Sequence, residues 1–377
     1  MLFRLTLLPA GLPHDVGFGG AGELLRADWQ GERVAFERFQ LFDDDIWRYL
    51  WDGHLSAAGE NPYRAAPTSV ALDGLAEGHW EEIRENINYP SYPTVYPPLA
   101  QFVFWLAHGL APGSVVAMKI LIIGADLGAA VFLWLALGKM NLPREGVVLY
   151  AWNPLVVKVF AGSGHADAVA VLCLAALAYA VAARWRTMAA VALEMSILAK
   201  LLPVVIAPLV VRRIGWRNTL LCGGVVVAGY GLFAGAGVDV FSGLLAFSRY
   251  WQFNNLPNQM LGRVGSVVGL LLVVVWLAWN DDGGANSFFR GSSVALGMAV
   301  VLSSAVMPWY LTMVLPTAVL AGQSIWLWFS AFVCLSFHVM IDQRERTWVL
   351  AIEYLLFSVL LLQRAHLSGF LFRGAKL

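Results

Sequence analysis

Three adjacent carboxylates, Asp43-Asp44-Asp45, followed by Ile46-Trp47-Arg48-Tyr49-Leu50-Trp51-Asp52-Gly53, form the densest group of chemically capable side chains in the chain. Adjacent carboxylates suit a general base whose neighbour raises its pKa. They also suit oxygen ligation of a divalent cation. A structural role fits the same residues, because Asp at an N-cap and in a first turn favours the start of a helix.

Other candidates lie farther on. The string Gly162-Ser163-Gly164-His165-Ala166-Asp167 opens an apolar segment, so His165 and Asp167 sit where free backbone N–H groups favour an anion. Lys200 falls between two half-length apolar segments, 189–199 and 201–211. An ionisable group there either holds something, a phosphate for instance, or snorkels from a helix end. Lys119 admits the same two readings, with snorkelling favoured, and Asp126 and Glu194 read as carboxylates paired within a bundle. Met307-Pro308-Trp309-Tyr310 reads as an interfacial anchor ahead of a substrate contact. The strings Asn61-Pro62-Tyr63, Asn88-Tyr89-Pro90 and Thr94-Val95-Tyr96-Pro97-Pro98-Leu99 mark either a rigid, shaped loop or plain chain reversal, since proline fixes φ and stops helices. Cys173, Cys222 and Cys334 lie inside apolar stretches and read as small hydrophobes, with neither metal-ligand spacing nor a disulfide framework.

The elements that must position these groups are apolar helices. Hydrophobic residues make up 59% of the chain and charged residues 13%, half the share usual in soluble domains, and mean hydropathy is +0.66. The apolar residues come in blocks that match the hydrocarbon thickness, where only helices satisfy their own backbone. The pattern predicts an all-α, polytopic integral membrane bundle of about ten or eleven spans. They fall near 115–138, 146–161, 167–183, 187–200, 201–211, 218–237, 264–280, 293–307, 310–321, 325–341 and 348–364. Residues 1–97 form a polar, Pro/Gly-punctuated region, and residues 98–377 the multi-spanning domain. The net charge of zero divides into −8 over residues 1–100 and +8 over the remainder, so no basic nucleic-acid surface is indicated.

Lys139 and Arg144, then Arg184 and Arg186, then Arg212, Arg213 and Arg217 occupy alternate breaks, which the positive-inside rule assigns to the cytoplasm. Counting from them puts the acidic region outside, together with the breaks at 162–167, Lys200, 239–263 and 308–310. The unusual polar residues thus converge on one membrane face. Segment 98–111 is too short to span and is expected to lie along the interface or re-enter. No stretch before the acidic loop reads as a span or a signal peptide, so the chain is expected either to start outside or to lack an upstream helix.

These strings, in this order, resemble bacterial polyprenyl-phosphate-mannose-dependent mannosyltransferases of the C-type (GT-C) glycosyltransferase superfamily, glycosyltransferase 87-like. The resemblance rests on Asp44 to Gly53, Ala58-Gly59, Asn61-Pro62-Tyr63, Asn88-Tyr89-Pro90, Tyr96-Pro97-Pro98, His165-Ala166-Asp167-Ala168, Ala199-Lys200 with Pro203, and Pro308-Trp309-Tyr310 ahead of Leu315-Pro316. It covers roughly residues 40–320. Two features depart from it: the absent helix before the loop, and Asp43 where a small hydroxyl residue is usual.

The resemblance implies a helical bundle with a large extracytoplasmic loop, in a bacterial plasma membrane. It implies transfer of a sugar, mannose by family, from a polyprenyl phosphate to a glycan or glycolipid, with inversion. Asp44 or Asp45 would be the base. Lys200 and His165 would face the donor phosphate, and Arg48 and Asp52 would orient the loop. Tyr49, Tyr96, Asp167, Trp309 and Tyr310 would complete the substrate site. No cofactor beyond the lipid-linked donor is implied, and a divalent cation is not expected. The rival reading is a transporter or lipid flippase using Asp126, Glu194 and Lys200 near the midplane; a non-enzymatic scaffold would leave the acidic triplet unexplained.

Overall fold

The structure, a computed structural model, describes residues 2–7, 25–30, 44–342 and 347–373 of the 377. Asp43 lies outside the described residues. Among those described, all regular elements are helical, with one isolated parallel bridge between Phe253 and Ala305.

The polar region is built on α1 (Asp45–Ala57) and α2 (His79–Glu85). Pro98, well placed in a first turn that needs no N–H there, starts α3 (Pro98–Leu110). Helices α1 and α3 pack face to face. Their approach is closest at Gly53, where a Cβ would lie 2.4 Å from the carbonyl oxygen of Phe104. On the other side of α1, His54 stacks on Trp80 of α2 at 3.7 Å, and its Nε2 donates to the Leu75 carbonyl at 3.0 Å.

The centre of the molecule is α4 (Val115–Lys139), α5 (Asp167–Ala182) and α6 (Arg186–Ala199), with α5 between the other two. Ser114 caps α4 by accepting from the Ala117 N–H. Fully buried alanines on α5 (Ala168, Ala170, Ala175, Ala178, Ala180) let these helices approach closely. Asp126 of α4 pairs with Arg4 and accepts from the Tyr150 hydroxyl at 2.8 Å. Lys119 donates to the Leu7 carbonyl at 2.8 Å, so the described N-terminal turn is fastened to α4 at two points.

Beyond the centre come α7 (Ala207–Ile214), α8 (Trp216–Gly231), α9 (Ser242–Tyr250), α10 (Leu256–Trp279), α11 (Ala285–Val301), α12 (Leu315–Leu320), α13 (Ser324–Phe332) and α14 (Thr347–Arg373). Glu194, on α6, is buried and has no ion-pair partner among the described residues.

Several expected spans are not single helices. Segment 146–161 divides at Asn153-Pro154, where Asn153 caps a new turn by accepting from the Leu155 N–H, and a π-helix, Val157–Gly162, follows. Segment 201–211 starts as the 3-10 turn Leu202–Ile206 because Pro203 and Pro208 interrupt it. Segment 310–321 divides at Pro316 in the same way. Among the described residues, two helices, α4 with 25 residues and α10 with 24, are long and apolar enough to cross a membrane. Shorter apolar helices cover Asp167–Ala182, Ser324–Val339 and Thr347–Leu361.

Two predictions follow from the α1 contacts. Gly53→Ala pushes a methyl into the α3 backbone and should cost about 1–3 kcal/mol, whereas Gly109→Ala, which meets no atom within 4 Å, should leave the unfolding temperature unchanged or higher. Burial pushes the His54 imidazole down from 6.5 to about 4, against a smaller opposing effect of its bond to Leu75. The unfolded chain therefore takes up this proton first. The stability it contributes is full above pH 6.5 and is lost as pH falls toward about 4. Unfolding temperatures measured across that interval should fall less in His54→Gln, which keeps an Nε2 donor for Leu75, than in the native chain.

Candidate active site

Asp44 stands at the N-cap of α1 without a side-chain capping bond, and Asp45 occupies the first turn. Asn88 instead organises both carboxylates: its Nδ2 donates to Asp44 Oδ1 at 2.8 Å and to Asp45 Oδ1 at 2.9 Å. The loop carrying Asn88 is tied to α1 again where Arg48 donates to the Tyr92 carbonyl at 3.1 Å. Asp44 is exposed, whereas the Asp45 side chain keeps 20% of its surface accessible and turns inward.

Tyr49, one turn on from Asp45, is fully buried, stacked on Phe104 at 4.6 Å and edge-on to Tyr96 at 5.0 Å. Its hydroxyl lies 3.4 Å from His165 Nδ1 and accepts from the Ala166 N–H at 3.5 Å. Gly164 makes this approach possible. Its φ of +74° turns the chain beneath α1, and a Cβ there would already lie 3.1 Å from Ile46 and Lys119. His165 Nδ1 then stands 3.7 Å from Asp45 Oδ2, with the ring stacked on Trp309 at 4.2 Å.

Asp167 opens α5 and Lys200 closes α6, so the two face each other at adjacent helix ends with Nζ 3.3 Å from the carboxylate. The ammonium lies 4.8 Å from the Tyr310 ring and 5.7 Å from the Tyr96 ring, and the side chain remains 20% exposed. Burial first, then the charge of Asp45, raises the Tyr96 hydroxyl well above the usual phenol value, so it stays neutral. The assembly is a carboxylate, an imidazole and an ammonium in sequence along an aromatic wall. It can accept a proton at one end and hold an anion at the other.

Arg48 and Asp52 form a separate layer behind that wall. Arg48 Nε donates to Asp52 at 2.8 Å, and Gln101 Nε2 donates both to Asp52 and to Thr94 Oγ1 at 2.9 Å. Asp52 is entirely buried.

Asp44, Asp45, Tyr49, Tyr96, His165, Asp167, Lys200, Trp309 and Tyr310 thus meet in one connected site, and Arg48 and Asp52 fasten its first helix. Lys119 and Asp126 make different contacts, described above, and Glu194 is buried on α6. Sequence reasoning missed Asn88, Gln101 and Thr94. Asn88 sits in a string singled out for chain shape, and only the fold reveals its bridging role. Among the described residues, no group of three or more His, Cys, Asp or Glu could hold a metal ion.

Arg48→Met should leave the Asp52 charge buried without its cation and cost about 3–5 kcal/mol. Adding Asp52→Leu should recover part of that loss, as read by thermal unfolding of the two variants and the native chain.

Residues 39–215, just under half of the chain, match the family model described as alpha-(1->6)-mannopyranosyltransferase, N-terminal domain. No curated protein and no solved structure matches the chain. The matched stretch contains the carboxylates, the imidazole and the ammonium described above; Trp309 and Tyr310 come from outside it. Over residues 39–215, then, the chain is similar to the alpha-(1->6)-mannopyranosyltransferase family, and that match supports a glycosyltransferase of the GT-C mannosyltransferase type.

Proposed function

We propose that the protein is a multi-pass membrane mannosyltransferase that moves mannose from a polyprenyl phosphate to a glycan or glycolipid hydroxyl. The observation that carries this reading is Asp45 facing His165, with Lys200 beyond, inside the segment that matches the mannosyltransferase family. Asp45 is the better placed of the two candidates, because its side chain is largely buried and stands 3.7 Å from His165 Nδ1, whereas Asp44 is solvent-exposed.

In this mechanism the acceptor hydroxyl attacks the anomeric carbon from the side opposite the phosphate, and its proton passes to Asp45. The new glycosidic bond forms as the bond from the anomeric carbon to the phosphate oxygen breaks, so the configuration inverts. The polyprenyl phosphate leaves with both electrons of that bond. Lys200, assisted by His165, offsets the growing negative charge in a site of low effective dielectric. This chain's own cations suffice for a phosphomonoester leaving group. Two long apolar helices and the exposed apolar surfaces of α8 and α10 support the membrane setting. The alternation of basic breaks supports an extracytoplasmic site in a bacterial plasma membrane.

Transfer from radiolabelled polyprenyl-phosphate mannose into lipid or polymer should be measured in membranes holding the protein. Asp45→Asn should lower it by about 10²–10⁴-fold and Lys200→Met by about 10²–10³-fold, with Asp44→Asn milder. Undiminished transfer in Asp45→Asn would remove this residue from the mechanism, and no transfer by the native chain would remove the mechanism.

A further inference from the structure

Beside the carboxylates lies a group of aromatic rings to which the reaction above gives no role. Tyr89 follows Asn88, the residue that bridges Asp44 and Asp45, and Tyr92 lends its carbonyl to Arg48. Their rings meet residues from a distant part of the chain. Tyr89 lies 4.2 Å from Trp251, Tyr92 lies 5.5 Å from Trp251 and 6.3 Å from Tyr250, and Phe247 supports Trp251 at 5.3 Å.

Two features show that this meeting is built in. Gly243 brings α9 directly onto the loop, where a Cβ would lie 2.5 Å from the carbonyl oxygens of Pro93 and Thr94. Tyr89 also adopts a left-handed φ of +51°, unusual for a bulky residue, and so carries its ring outward against Trp251. Yet the cluster is not a core: Tyr89 is 57% and Tyr250 59% exposed, and the Arg249 guanidinium lies 5.6 Å from the Tyr250 ring.

We infer that this aromatic shelf is an acceptor subsite that holds a chain of α-linked mannopyranose units leading into the carboxylates. The inference rests on the transferase reading and names the class of its acceptor. A pyranose has a face of C–H bonds, weakly positive, that stacks on the negative face of an aromatic ring, while its rim of hydroxyls needs polar partners. Open aromatic faces edged by Arg249 and by the Asn88 loop meet both needs. A bilayer anchor would use the same residue types. It would not need the shelf to join the loop that holds both carboxylates, and that continuity favours the glycan.

The test is donor-free binding of α-(1→6)-linked mannohexaose to the full chain in detergent, read by saturation-transfer NMR and calorimetry. Methyl α-mannopyranoside is the short comparison. The native chain should bind the hexaose more tightly than the monosaccharide. Trp251→Leu and Tyr89→Leu should each weaken the hexaose about tenfold with unchanged unfolding temperature, and Trp251→Phe should restore most of it. If Trp251→Leu does not fold, Tyr89→Leu carries the test, because that ring is largely exposed. Equal hexaose binding in the folded variants, or no binding by the native chain, overturns the subsite. So does quenching by brominated phosphatidylglycerol, in the reconstituted protein, of the fluorescence that Trp251→Phe removes, which would identify a membrane anchor. Asp45→Asn should keep hexaose binding while losing transfer, so a failed subsite and a failed transferase give different results.

Discussion

A carboxylate with no access to solvent is tolerated only where other groups neutralise it, and Asp52 is such a group. Arg48 supplies the opposing charge from the same helix, and Gln101 supplies a further donor from α3. These bonds form only when α1 lies on α3 in one register, the register that also lets Gly53 pass the Phe104 carbonyl. Side chains three and four residues apart share a helix face. Fixing Asp52 therefore fixes Tyr49, and fixing Tyr49 sets the direction of Asp45. The carboxylate's approach to His165 is thus determined two turns away from where it occurs.

The remaining charged groups of the site obey a common electrostatic rule. Asp45 and Asp167 begin helices, and Lys200 ends one. Each charge lies at the end of a helix dipole of opposite sign, which lowers the cost of holding it away from bulk water. The ends of α5 and α6 are adjacent, so Asp167 and Lys200 also compensate each other.

Around these groups the walls are aromatic: Tyr49, Tyr96, Phe104, Trp309 and Tyr310. Rings exclude water and so strengthen every interaction within the site, while the tyrosine hydroxyls retain polar handles. Tyr49 uses its handle toward His165, and Tyr96 offers its backbone carbonyl to the Tyr63 hydroxyl at 2.6 Å. The prolines at 62, 90, 93, 97 and 98 reduce the loop's freedom before it folds, which lowers the entropy lost in ordering it.

The sequence by itself determined the helical character, the acidic region ahead of the apolar one and the identity of the chemically capable residues. These are local properties, carried by composition, by long apolar blocks and by unusual residues in unusual company. Asp44 and Asp45, His165, Lys200 and Trp309 were legible as candidates because each stands out against an apolar background. Where proline or asparagine interrupts an apolar block, as at Asn153-Pro154, block length alone gave one helix and the backbone formed several short ones. Only the tertiary structure decided that Asn88 bridges two carboxylates, that Arg4 reaches Asp126, and that Trp251 meets Tyr89. Those contacts join residues tens to more than a hundred positions apart, and local patterning carries no record of which distant side chain a loop will meet. That is settled by packing, once helix ends, close-approach glycines and buried charges have left one arrangement that satisfies them together.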